Sequence, residues 1–144
     1  GFPGETEEDF QETMTLVREA GFEWMYSFKY SKRKGTPAAA GIDEQVDDAV
    51  AQDRLARLQS MQREFQAAAL RANEGRTVEV LVEDESRKDA NVLMGRTDTN
   101  FVVNFAGDKS LIGQVVNVRV TRAMPNSLWG EIADAPVIEQ RVAV

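Results

Sequence analysis

The chain has 144 residues, 42% apolar and 28% charged, with 17 Lys and Arg against 24 Asp and Glu for a net charge of −7. This composition suits a soluble globular chain with one ordinary core, or a small domain plus an appendage; with no apolar window long enough for a bilayer and no signal peptide at Gly1, a cytoplasmic location and no membrane partner are expected. Cys and His are both absent, which excludes thiolate nucleophiles, imidazole bases, the usual structural zinc and any cluster ligated by this chain.

Thr6-Glu7-Glu8-Asp9 is a helix start, with a Thr cap, acids in the first turn and an acid three residues after the cap. Phe10, Met14 and Val17 recur at helical spacing and Gly21 is a stop, so a helix over Glu7–Ala20 is predicted. Phe22, Trp24, Tyr26, Phe28 and Tyr30 then alternate, which predicts a strand buried on at least one side; core packing is preferred to a cofactor box. Residues 31–41 read as a loop carrying three adjacent cations, Lys32, Arg33 and Lys34, which could meet phosphate or simply be solvated.

Asp43 is placed to cap a long helix over about 44–72, with Ala51, Leu55, Leu58, Met61, Phe65 and Ala68 in one apolar stripe. From Thr77 the period changes to two. Val78, Val80 and Val82 alternate, 91–97 and 101–105 follow, Val116, Val118 and Val120 alternate again, and Leu128–Ile132 is a fifth segment. Turns at Asn100, Gly107-Asp108 and Pro125-Asn126-Ser127 give the rhythm of a small five-stranded barrel. Residues 133–144 carry little pattern and are expected to form an extended or poorly ordered tail. The even valines of 115–121 should face the core, leaving Arg119 and Thr121 outward. Over 75–132 there are seven basic and eight acidic residues, a net of −1, so a grip on nucleic acid would need one locally basic face.

Wording adds to this pattern. Gly95-Arg96-Thr97, Val102-Val103-Asn104-Phe105, Leu111-Ile112-Gly113-Gln114 and Pro125-Asn126-Ser127-Leu128-Trp129-Gly130-Glu131 resemble the TRAM domain of the tRNA methylthiotransferases. Upstream, Gly1-Phe2-Pro3-Gly4-Glu5-Thr6-Glu7-Glu8-Asp9-Phe10 and Tyr30-Ser31-Lys32-Arg33-Lys34-Gly35-Thr36-Pro37-Ala38 resemble the late strands and loops of that family's radical S-adenosylmethionine barrel. The order and spacing agree over nearly the whole chain. Ser86-Arg87-Lys88 with Gly95-Arg96-Thr97 and Val103-Asn104-Phe105 most resembles the branch that methylthiolates an N(6)-modified adenosine beside the anticodon.

The resemblance implies an α+β chain: a C-terminal fragment of a parallel radical S-adenosylmethionine α/β barrel at 1–40, a long connecting helix at 41–74, a five-stranded antiparallel TRAM barrel of OB-like form at 75–132, and a tail at 133–144. It implies a parent enzyme that uses S-adenosylmethionine and two 4Fe-4S clusters held by cysteines absent here, so this chain alone is expected to be inactive. Gly1, Phe2, Pro3, Gly4 and Glu5 would lie near S-adenosylmethionine, at the ligand-binding end of a barrel strand. Lys32, Arg33, Lys34, Arg87, Lys88, Arg96, Arg119, Arg122 and Asn126 are the candidate RNA contacts, and the expected partners are a tRNA anticodon arm and the parent's N-terminal and radical regions. Phe101 and Trp129 stand where relatives often carry a basic residue; they could stack on bases or pack a domain interface, and the interface is preferred. A ribosomal-protein methylthiotransferase, a free-standing RNA-binding module and a protein adaptor using the long helix are the competing readings.

Overall fold

The computed structural model describes residues 1–40, 45–86 and 89–133, and the chain divides into two compact units, Gly1–Gln66 and Ala67–Val144. Arg87, Lys88, Asp43, Glu44 and the tail beyond Ala133 lie outside the described residues.

In the first unit, α1 spans Glu7–Ala20. Its capping box is complete: Asp9 N donates to Thr6 Oγ1 at 3.2 Å, and Thr6 N donates back to Asp9 Oδ2 at 2.8 Å. Gly21 ends the helix in the left-handed region at φ 65°, and Phe10 and Val17 are its buried residues. Residues 22–30 depart from expectation, because they form no strand. Trp24 is 40% exposed, Tyr26 84% and Phe28 83%, so the alternating aromatics are not a core stripe. A strand hides alternate residues only when neighbouring strands pair its backbone, and the described residues of this unit contain no other strand.

The 31–41 loop contains a short helix, α2, at Pro37–Ala40, where Thr36 Oγ1 accepts from Ala39 N at 3.3 Å and Pro37 fills the first turn. The long helix, α3, spans Asp48–Arg71 rather than beginning near 44. Asp47 caps it, accepting from Ala49 N at 2.8 Å through its side chain and from Ala51 N at 2.9 Å through its carbonyl. Its buried positions include Ala51 and Met61 from the expected stripe, but also Arg54, Gln62 and Gln66, while Ala68 is exposed.

The second unit holds a closed barrel of five strands: β1 Thr77–Ser86, β2 Asp89–Arg96, β3 Val102–Ala106, β4 Val115–Ala123 and β5 Leu128–Ile132, in the order β1-β2-β3-β5-β4. All neighbours are antiparallel except β3 and β5, which run parallel with Val103 opposite Leu128 and Phe105 opposite Gly130. The wholly antiparallel expectation is thereby corrected for a geometric reason. Directions cannot alternate around a closed ring of five, so one parallel seam is unavoidable.

Alternation sorts the wall as expected. Val116, Val118 and Val120 point inward beside Val80, Val82, Val103 and Phe105, while Arg119 and Thr121 are exposed. Phe101 is 3% exposed and belongs to this core, so it packs neither a domain interface nor a base. Leu70, from the last turn of α3, is 1% exposed and joins the same cluster. Asn100 turns the chain between β2 and β3 at φ 68°, and Thr97 Oγ1 accepts from Phe101 N at 3.0 Å to hold that turn. A 3-10 turn at Lys109–Leu111, capped by Asp108 accepting from Ser110 N at 2.9 Å, precedes β4.

Candidate nucleic-acid interface

The described cations of the barrel fall into two groups. Arg96 is engaged: its Nε donates to Glu83 Oε2 at 3.2 Å and its Nη1 to Asn100 Oδ1 at 2.9 Å. It lies in an open cleft of about 440 Å³ with Glu79, Glu83 and Asp98, three carboxylates that would repel a phosphate. Lys109 is likewise paired, with Glu85 at 2.8 Å.

Arg76, Arg119 and Arg122 are exposed, and their side chains have no carboxylate or hydrogen-bond partner among the described residues. They gather at one end of the wall. Val120 N donates to the Arg76 carbonyl at 2.8 Å, Thr77 stands opposite Arg119, and Arg122 follows three residues further along β4. Glu131 faces Arg119 across the β4–β5 pair without closing an ion pair. A bulge between Val120 and Arg122 shifts the register, so Arg122 stands opposite Trp129 and Ala123 turns inward against the core. Beyond them the hairpin closes with Met124 N donating to Ser127 O at 2.8 Å, which leaves Asn126 exposed at its tip.

The three loop cations of the first unit, Lys32, Arg33 and Lys34, are all exposed. Their turn is held by the Arg33 carbonyl, which accepts from Thr36 N at 3.2 Å and Thr36 Oγ1 at 2.9 Å, with Gly35 at φ 87°. None of the three has an ion-pair partner among the described residues. Their backbone therefore presents them to solvent as a set.

Residues 1–5 form a tight turn in which Glu5 N donates to Phe2 O at 3.0 Å and Gly4 takes φ 81°. The Glu5 carboxylate accepts from Arg54 at 3.2 Å and also from the amino group of Gly1; the ring of Phe2 meets Tyr30 edge-on at 5.2 Å. Arg54, only 6% exposed, is the residue sequence reasoning missed here. It also donates to the Glu5 carbonyl at 2.9 Å and to Glu7 at 3.3 Å, while Arg57 donates to Glu7 at 2.8 Å and lies 4.7 Å from the centre of the Phe10 ring. The hydrogen bond from Arg57, helped by Gln11 and Arg54, lowers the Glu7 pKa from 4.5 to about 2. The same bond raises Arg57 above its ordinary value. Its signal was present in the sequence as Arg54 and Arg57 one helical step apart, but their acidic partners lie some fifty residues away.

No group of three or more acidic, His or Cys side chains that could hold a metal ion occurs among the described residues, and no described helix is long and apolar enough to cross a membrane.

Residues 71–133 match the family model of the TRAM domain. Over 132 residues, 92% of its length, the chain is 51% identical to the tRNA-2-methylthio-N(6)-dimethylallyladenosine synthase of Francisella philomiragia. It is 50% identical over the same share to the synthases of that name from Alkaliphilus oremlandii and Francisella tularensis subsp. novicida. The chain spans 30%, 28% and 30% of the length of these three curated relatives. The barrel built by β1 to β5 is thus a TRAM domain, carried by a chain whose recognised relatives are tRNA-2-methylthio-N(6)-dimethylallyladenosine synthases.

Proposed function

We propose that the chain is the C-terminal portion of a radical S-adenosylmethionine tRNA methylthiotransferase, and that its barrel holds the anticodon arm of the tRNA while the parent's other regions add a methylthio group to an N(6)-modified adenosine. The observation that carries the reading is identity near one half across 132 residues, 92% of the chain. The surface supports it: Arg119 and Arg122 project from β4 without carboxylate partners among the described residues, which leaves their charge available to phosphate oxygens. With Asn126 at the hairpin tip they form the barrel's share of the RNA surface, and Lys32, Arg33 and Lys34 form a second set. Arg87 and Lys88, outside the described residues, are further phosphate contacts in the same proposal. Arg96 contributes more to the barrel's own structure, through Glu83 and Asn100, than to phosphate.

The parent's two 4Fe-4S clusters require thiolates, and this chain supplies none. For S-adenosylmethionine, whose bound form would supply the radical chemistry, Gly1, Phe2, Pro3, Gly4 and Glu5 offer the backbone of a turn and one carboxylate already bonded to Arg54. That donor set fits the edge of such a site and no more, so these residues are assigned binding and no catalytic step.

The test is a titration of the chain with unmodified tRNA at several salt concentrations. Binding in the micromolar range or weaker is expected, with a logarithmic salt slope that falls by about 0.7 to 0.9 for each of Arg119→Ala and Arg122→Ala. Salt-independent binding, or none at low salt, removes RNA holding as the role of this portion.

A further inference from the structure

The outer wall of the barrel carries a row of side chains that the arginines alone do not explain. Met94 on β2 stands opposite Asn104 on β3, Asn104 opposite Trp129 on β5, and Trp129 opposite Arg122 on β4. Three successive register pairs therefore place Met94, Asn104, Trp129 and Arg122 side by side across four strands. Their inward neighbours, Leu93, Phe105, Leu128 and Gly130, are buried, which fixes the row as outward-facing by alternation. At about 4.8 Å per inter-strand step the row is on the order of 14 Å long.

We infer that this row is a stacking platform for unpaired RNA bases, with Trp129 as its anchor. Trp129 is half-buried and lies outside the hydrophobic core cluster, so the core does not account for it. Its indole N–H, the carboxamide of Asn104 and the guanidinium of Arg122 all lack hydrogen-bond partners among the described residues. An apolar ring flanked by an unspent amide and an unspent cation is suited to one class of ligand. A base stacks on the indole, its edge bonds the carboxamide, and its phosphate meets the arginine. Met94 extends the row with a polarisable side chain that adapts to whatever ring lies on it. A row of this length takes about two or three bases, and only a single strand can splay them onto a wall. Glu131, next along β5 on the same face, bounds the platform with negative charge.

This inference rests on the RNA-holding reading, and the experiment separates the two. In a Trp24→Phe chain Trp129 is the sole indole, and its fluorescence is followed as an unstructured oligouridylate, then a fully paired RNA duplex, is added at low salt. The single strand should quench Trp129 and the duplex should not. Trp129→Ala should weaken single-strand binding roughly tenfold while leaving the salt slope unchanged, and Trp129→Phe should restore most of the affinity. Binding of the single strand with no quenching of Trp129 overturns the platform and leaves RNA holding through Arg119 and Arg122 intact. No binding of either RNA at low salt overturns both. The quenching experiment uses the unmodified Trp129, so it decides the matter even if Trp129→Ala does not fold.

Discussion

Gly95 on β2 lies directly beneath the carbonyl of Leu81 on β1: a Cβ built on Gly95 would stand 2.3 Å from that oxygen and 2.5 Å from Val80 Cγ1. Gly130 on β5 repeats the relationship, with its Cβ 2.5 Å from the Arg119 carbonyl oxygen and from Val118 Cγ1. Both glycines face inward where strongly coiled strands cross closely, and the nearest obstacle is backbone, which cannot rotate away. Gly95→Ala should therefore destabilise the barrel by about 3 kcal/mol, at the upper end for overpacking, and Gly130→Ala by a similar amount. Gly113 is the control. Its φ of 84° strains any side chain, but nothing lies within 4 Å, so Gly113→Ala should cost only about 1 kcal/mol. Urea unfolding followed by Trp129 fluorescence in a Trp24→Phe chain measures all three, and equal losses would mean that close approach does not set the cost.

Leu70 fixes where the domain begins. It is 1% exposed among the barrel's core residues, yet it belongs to the last turn of α3, just before the stretch that matches the TRAM family. Leu70→Ala should destabilise the barrel by about 2 to 5 kcal/mol, as a buried leucine does when it leaves a cavity. A chain trimmed to 67–133 should unfold at a clearly higher urea concentration than one trimmed to 72–133. Matching midpoints would show that the helix turn is dispensable.

Much of the barrel, and the start of α1, was legible because the signals are local. The valines of β4 and β1 alternate, Asn100 turns, and Thr6 with Asp9 spells a helix start, so each feature is settled within a few residues. The parallel seam between β3 and β5 was not legible, since it follows from the number of strands in the closed ring rather than from either segment. The run at 22–30 failed for a related reason. Its alternation is as regular as that of β4, but a strand exists only where another backbone pairs with it, and period-two patterning is silent about partners. At the candidate interface, charge identified Arg119 and Arg122, whereas their alignment with Trp129, Asn104 and Met94 depends on register and on the bulge after Val120.

The exposed aromatics of 22–30 make a further prediction. Tyr26→Ser and Phe28→Ser remove rings that are 84% and 83% exposed, so each should change the stability of the chain by no more than about 0.5 kcal/mol. Phe10 is 3% exposed, with Arg57 stacked 4.7 Å from its centre, and Phe10→Ala should cost about 3 to 5 kcal/mol. Thermal unfolding followed by helical circular dichroism distinguishes them. A large loss from Phe28→Ser would mean that the ring is covered in solution.

Glu7 predicts how the first unit responds to acid. Its hydrogen bonds from Arg57, Gln11 and Arg54 hold its pKa at about 2 against an ordinary 4.5. The folded-state value is the lower one, so the contribution is present above about pH 4.5 and is lost as pH falls from there toward 2. Asp9, held below its ordinary value by the Thr6 backbone and hydroxyl, adds a loss of the same sign under acid. In Glu7→Gln the group no longer titrates, so the variant should melt below the unmodified chain at neutral pH, and the two curves should converge as pH approaches 2. Arg57→Ala should narrow the same gap from the other side, since it removes the largest cause of the shift. Melting temperatures of the three chains across this range, read by the helical signal, check the argument. A gap between the unmodified chain and Glu7→Gln that persisted undiminished at pH 2 would show that the pairing with Arg57 and Arg54 is not what the carboxylate contributes.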